Sequence, residues 1–179
     1  DHIMQLGLGA ASLTKFCYQH YPETQVTAVE LNPDVIRACH HLFELPPNDA
    51  RLCVLEKDAL QHLQQTQPSS VDILQVDLYS AEADNPSIES LDFYQECARV
   101  LHEDGLLTVN ILGNEYVHAR NLNHLQQCFA AVAWLPESHD GNIVAIAFKN
   151  PPSVDFDELY ARATQITMAY GLAASEWVE

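Results

Sequence analysis

Short apolar runs alternate with stretches of helical period along this 179-residue chain. HIMQLG (2–7) reads as a first strand, with a helix expected over about 11–20. QVTAVEL (25–31) is a second strand, bounded by Pro22 behind and Pro33 ahead. In NPDVIRACHHLF (32–43), Asn32 can cap a helix and Pro33 suits its first turn. Val35, Ile36, Cys39, Leu42 and Phe43 then follow the helical period. ARLCVLE (50–56) is a third strand, and DALQHLQQ (58–65) a short helix with Asp58 near its start. VDILQVDL (71–78) is a fourth strand, followed by the polar loop YSAEADNPS (79–87). A helix is expected over about 88–101, with Leu91, Tyr94, Cys97, Ala98 and Leu101 on one face. EDG (103–105) ends that unit, and LLTVNIL (106–112) is a fifth strand. A helix over roughly 115–129 leads to AVAWL and NIVAIAF, which PESHDG separates as in an antiparallel hairpin. After Pro151-Pro152, DFDELYARATQITMAYGL predicts a terminal amphipathic helix.

Apolar strands alternating with helices predict an α/β sheet covered on both faces. Five βα units closed by a hairpin make it Rossmann-like, seven-stranded and mostly parallel, with its last strand running backwards. Residues 1–150 are expected to form one nucleoside-binding domain and residues 151–179 a helical extension. There is no internal repeat and no low-complexity segment.

Composition narrows the function classes. No stretch approaches the roughly 20 apolar residues that cross a bilayer, so no membrane partner is expected. The first residues lack the charged and apolar regions of a signal peptide. A start directly on a strand suggests an excised domain or a missing preceding segment. Five scattered cysteines, without a Cys-x-x-Cys pair, predict reduced thiols in a cytoplasmic protein. Nine histidines include His40-His41 but no His-x-x-x-His or His-Glu-x-x-His pattern, so no metal site is expected. A net charge of −17, from 25 acids against 8 bases, disfavours nucleic acid and attracts cationic partners.

In such a sheet, ligands sit beyond the carboxyl ends of the strands, where strand order reverses. The first four strands end in Gly7-Leu8-Gly9, Glu30, Asp58 and Asp77. Gly7 and Gly9 let the backbone turn sharply and approach a ligand at the start of a helix; a plain tight corner would use them equally. Glu30, about 20 residues on, is placed to accept both hydroxyls of a ribose, or is simply an exposed strand end. Asp58 is placed to meet an adenine amino group, to cap the next helix, or both. Gly-x-Gly plus an acid also fits a nicotinamide cofactor, but GLGAAS lacks the third glycine of that fingerprint.

IMQLGLGAASLTKF, VTAVELNPDVIRACHHLF, RLCVLEKDALQHL and the stretch from VDILQVDLYS to LHEDGLLTVNI resemble, in order and spacing, the class I S-adenosylmethionine-dependent methyltransferase superfamily. Within it they look most like the spermidine synthase (polyamine aminopropyltransferase) family. The resemblance covers about residues 2–150. It implies that Glu30 holds ribose, with Leu31 next to it in the cofactor site, and that Asp58 and Ala59 face adenine. Gly7, Leu8 and Gly9 would approach the amino-acid or aminopropyl portion, Asp77 would be catalytic, and Ser80 would stand in the substrate site; Tyr79, read from the residue itself, is placed to stack on a substrate or to cover the sheet edge. The implied cofactor is S-adenosylmethionine or its decarboxylated form, the substrate a small molecule such as a cationic amine, and the assembly a homodimer.

Two positions depart from the family pattern. Ala10 stands where the family carries an acid for the donor's amino group, and Ser80 where it carries a second acid for the diamine. Methyl transfer, aminopropyl transfer and a non-catalytic nucleoside-binding domain therefore all remain open. Eight acids between Asp77 and Asp104, against Arg99 alone, suit either a cationic substrate or a solvated helix face.

Overall fold

The computed structural model describes residues 1–78, 90–139, 141–151 and 153–178, with the backbone alone at 136–139. Its strands are β1 (His2–Leu6), β2 (Gln25–Glu30), β3 (Leu52–Glu56), β4 (Val71–Val76), β5 (Leu101–Leu112), β6 (Ala131–His139) and β7 (Asn142–Phe148). Between them lie α1 (Ser12–His20), α2 (Pro33–Leu42), α3 (Ala59–Gln65), α4 (Leu91–Val100) and α5 (Glu115–Cys128). The chain continues into α6 (Phe156–Tyr170) and a 3-10 turn at Ala174–Trp177. The expected α/β architecture is present: one seven-stranded sheet in the order β3-β2-β1-β4-β5-β7-β6. The first five strands are parallel, and β7 runs antiparallel to both β5 and β6.

Strand alternation divides the core between the two faces. Met4, Leu6, Leu74, Val76, Leu107 and Val109 point to one face and pack with Phe93, Tyr94 and Leu125 of α4 and α5. Ile3, Val26, Ala28 and Leu52 point to the other, against Cys17 of α1 and Cys39 of α2. Phe93 and Tyr94 are almost wholly buried, each contributing about 1.5–3 kcal/mol by leaving water. The Tyr94 hydroxyl donates to Asn121 Oδ1 at 2.7 Å, so its burial strands no polar group. The C-terminal end of α6 meets α1 through Tyr170, whose ring lies 5.6 Å from Phe16 and 5.2 Å from His20.

Caps place the helices. Asn32 accepts from the Asp34 amide with Pro33 in the first turn, and Asp58 accepts from the Gln61 amide. Ser90 caps α4 and Asn114 caps α5. One boundary differs from expectation. The EDG segment does not separate a helix from a strand, because β5 begins at Leu101 directly after α4. Val71 pairs with Leu101, but Ile73 pairs with Leu106, so the β5 strand bulges between those rungs. Gly105 fits the bulge because an added Cβ would lie 3.0 Å from the His102 carbonyl oxygen.

At the amino edge, Asp49 joins the end of α1 to the start of β3. Its Oδ2 accepts from the Tyr18 hydroxyl at 2.6 Å, and its Oδ1 from the Arg51 and Leu52 amides. The Tyr18 hydrogen bond, helped by those amides, lowers the Asp49 carboxyl to about 2. A depressed folded-state value stabilises the fold above the ordinary carboxylate range and ceases to do so as pH falls through the folded value. Urea unfolding of Asp49→Asn against the parent protein is expected to show a stability gap at neutral pH. That gap should narrow between about pH 4 and pH 2; a gap independent of pH would contradict the assignment.

Candidate functional site

The centre of the sheet is its topological switch point. From β1 the chain steps outward to β2 and β3, then crosses back to β4 on the other side of β1. The crevice beyond the carboxyl ends of β1 and β4 is where such sheets hold ligands. Gly7 stands at that point with φ 96°, and its amide donates to the Val29 carbonyl at 2.8 Å. A Cβ there would lie 2.0 Å from the backbone oxygen of Asp77, so no larger residue fits without moving β4. Gly9 has φ 52°, and nothing lies within 4 Å of where its Cβ would be. The turn enters α1 at Ala11, which is left-handed at φ 57° and supplies no side-chain cap. From α2, Cys39 Sγ donates to the Gly9 carbonyl at 3.1 Å.

Glu30 binds this turn to the next loop. Its Oε2 accepts from the Leu8 amide at 3.1 Å, and its Oε1 from the Asn32 amide at 2.8 Å. Each carboxylate oxygen has two lone-pair directions, so one on each oxygen remains for a ligand hydroxyl. Leu31 beside it is 66% exposed, an apolar surface at the mouth of the crevice. The Lys57 amide donates to the Glu30 carbonyl, which brings the exit of β3 alongside β2. Asp58 follows, exposed, with Oδ1 capping α3, while Ala59 is buried.

Asp77 is exposed at the end of β4, its amide donating to the Leu6 carbonyl. Its Oδ1 accepts from Asn110 Nδ2 of β5 at 2.9 Å. Asn110 was not singled out in the sequence. Leu107, Val109 and Ile111 alternate as buried positions of that strand, and Asn110 lies on its other face. Tyr79 and Ser80 lie outside the described residues. Thus Gly7, Leu8, Gly9, Glu30, Leu31, Asp58, Ala59 and Asp77 stand along one carboxyl edge, with direct bonds linking Glu30 to Leu8 and the backbones of Gly7 and Asp77 in contact.

Among the described residues, Asp77 is the member of the acidic run at this edge, and Glu96, Glu103 and Asp104 lie elsewhere. Glu96 pairs with Arg99 at 2.8 Å. Glu103 and Asp104 sit with Ser69, Asp72 and His102 around a hollow at the opposite, amino edge of β4 and β5. Glu82, Asp84 and Glu89 lie outside the described residues. All five cysteines are free thiols, and burial raises Cys17, Cys39, Cys97 and Cys128 above the ordinary thiol range. Among the described residues, no group of three or more His, Cys, Asp or Glu side chains is arranged to hold a metal ion. Nor is any helix there long and apolar enough to cross a membrane.

The fold is that of the class I methyltransferases. Human Methyltransferase-like protein 13 in complex with SAH superposes with a TM-score of 0.84 at 20% identity, covering 93% of this chain and 80% of that one. A probable spermidine synthase from Corynebacterium glutamicum gives 0.77 at 22% identity, over 93% and 61%. The Spermine/spermidine synthase domain model matches residues 9–158, and the chain belongs to that family. The polyamine aminopropyltransferase of Neisseria meningitidis serogroup B is 30% identical over 174 residues, 96% of this chain and 66% of that protein. That of Chromobacterium violaceum is 27% identical over 179 residues, 99% of this chain and 68% of that protein. The chain therefore spans about two thirds of the length of these curated relatives.

The two glycines of the turn should respond differently to a methyl group. Gly9→Ala is expected to cost about 1–2 kcal/mol, the penalty of a left-handed residue. Gly7→Ala adds a backbone collision and should cost more than about 3 kcal/mol. Urea unfolding checks this; equal losses would contradict the packing of β1 against β4.

Proposed function

We propose that this domain is a spermidine synthase-like transferase that binds a sulfonium nucleoside and passes an alkyl group to a small amine. The observation that carries the reading is the Glu30 carboxylate, fixed by the Leu8 and Asn32 amides on the same carboxyl edge as Asp77 in a chain of this family. The donor is decarboxylated S-adenosylmethionine or S-adenosylmethionine itself. Glu30 accepts the two ribose hydroxyls, while Leu31, Asp58 and Ala59 border the adenine. The open space at Gly9 and the Gly7–Leu8 backbone receive the chain carried by the sulfonium. Residues 1–150 make up the nucleoside-binding unit, with α6 and the final turn as its extension. Five free thiols fit a cytoplasmic protein, and a homodimer is the proposed assembly.

Asp77 supplies the proton chemistry. An alkyl ammonium resembles lysine, with a pKa near about 10.4, and must lose a proton before its nitrogen attacks carbon. Asn110 holds Oδ1 of Asp77, which leaves Oδ2 to orient the ammonium and take its proton, directly or through water. The donor supplies a carbon activated by the sulfonium, whose bond to sulfur breaks as nitrogen bonds to it, releasing a neutral thioether. Asp77→Asn is expected to keep nucleoside affinity within about threefold and lower turnover about a hundredfold or more. Wild-type turnover in that variant would make Asp77 structural. A parent protein that binds nucleoside yet turns over no amine would be a non-catalytic binding domain.

Ala10 favours a second reading, methyl transfer, because no acid at that position opposes the carboxylate of S-adenosylmethionine. S-adenosylmethionine and methylthioadenosine are therefore expected to bind at least as well as the decarboxylated donor. The thioether product separates the readings: methylthioadenosine marks aminopropyl transfer, and S-adenosylhomocysteine marks methyl transfer. In either case Glu30→Gln should weaken nucleoside binding at least about tenfold. The amide loses the charge and presents N–H to a neighbouring N–H, and a hydrogen bond to a charged group contributes about 1.5–3 kcal/mol. Unchanged affinity in calorimetry would remove Glu30 from the site.

A further inference from the structure

Directly beneath the site, the buried side chains of Gln5 and Thr14 and the half-buried side chain of Gln75 join the elements that border it. Gln5 of β1 and Gln75 of β4 are register partners, two residues before Gly7 and Asp77 respectively. Side chains alternate along strands, so both amides lie on the same sheet face as those two residues, one layer down. Gln5 Nε2 donates to Gln75 Oε1 at 2.6 Å, and Thr14 Oγ1 of α1 donates to Gln5 Oε1 at 2.5 Å. The Cys17 thiol closes the group, 3.8 Å from Gln5 Nε2 and 3.9 Å from Gln75 Oε1. Gln5 is 2% and Thr14 1% exposed, in a layer otherwise built from Ile3, Val26, Ala28 and Leu52.

We propose that Gln5, Thr14 and Gln75 are positioning residues that set the distance between the glycine turn and Asp77, and so between donor and amine. Apolar side chains of similar shape would fill this layer as well, because burial is not directional. The amide network instead fixes the rotation of α1 and the register of β1 against β4 at once. Those are the elements that carry the two halves of the reaction. A small error in that distance lowers a transfer rate far more than it lowers the binding of either partner alone.

The inference rests on the nucleoside-and-amine reading, and the test separates the two. Removing one partner alone strands a buried polar group, so the main variant is the all-apolar triple Gln5→Leu, Thr14→Val, Gln75→Leu. The probes are methylthioadenosine and a bisubstrate thioether joining thioadenosine to a diamine chain. The triple variant is expected to bind methylthioadenosine within about threefold of the parent and the bisubstrate thioether at least about tenfold more weakly. Thr14→Ser, which keeps the hydroxyl, should bind both as the parent does. Unchanged bisubstrate affinity in the triple variant, or equal loss of both probes, overturns the positioning role. A parent protein that binds the bisubstrate no tighter than methylthioadenosine overturns the amine reading itself, and the positioning role with it.

Discussion

The close approach of β1 and β4 at Gly7 is the constraint on which the site depends. With no side chain at Gly7, its Cα lies against the backbone of Asp77. The glycine turn then leads into α1, while the Asp77 side chain is held by Asn110 of β5. Glu30 anchors the other side, because its carboxylate holds the turn through Leu8 and the start of α2 through Asn32. The ends of three adjacent strands thus carry the polar groups of the crevice, tied by one close backbone approach and by the Glu30 carboxylate.

Much of this was legible in the sequence because it follows from local chemistry. The alternation of apolar runs with capped helices predicted seven strands and the reversed last one, since Asn32, Pro33 and Asp58 mark helix starts by their bonding to the first turn. The strand-end positions of Glu30 and Asp77 followed from the same reading. Less legible were features that arise only from pairing. The start of β5 at Leu101 depends on a bulge opposite β4, and EDG resembles an ordinary turn unless that partner is known. Gln5 and Gln75 read as interruptions in apolar strands until register sets them side by side. Asn110 lies 33 positions from Asp77 in the chain, so no local pattern announces their bond.

Charge counted along the chain does not say where the charged groups stand. The run of acids from Asp77 to Asp104 suits either a cationic substrate or a solvated helix face, and the parallel course of β4 and β5 sends its described members to different places. Asp77 stays at the carboxyl edge, Glu96 is held by Arg99, and Glu103 and Asp104 go to the amino edge.

The central claim is that the crevice between Gly7, Glu30 and Asp77 binds an adenosine thioether or sulfonium. Isothermal titration of the protein with methylthioadenosine, S-adenosylmethionine and decarboxylated S-adenosylmethionine tests it most directly. Saturable one-site binding of methylthioadenosine, displaced by at least one of the two sulfonium donors, is the predicted result. Absence of binding by all three nucleosides in the folded protein would contradict it.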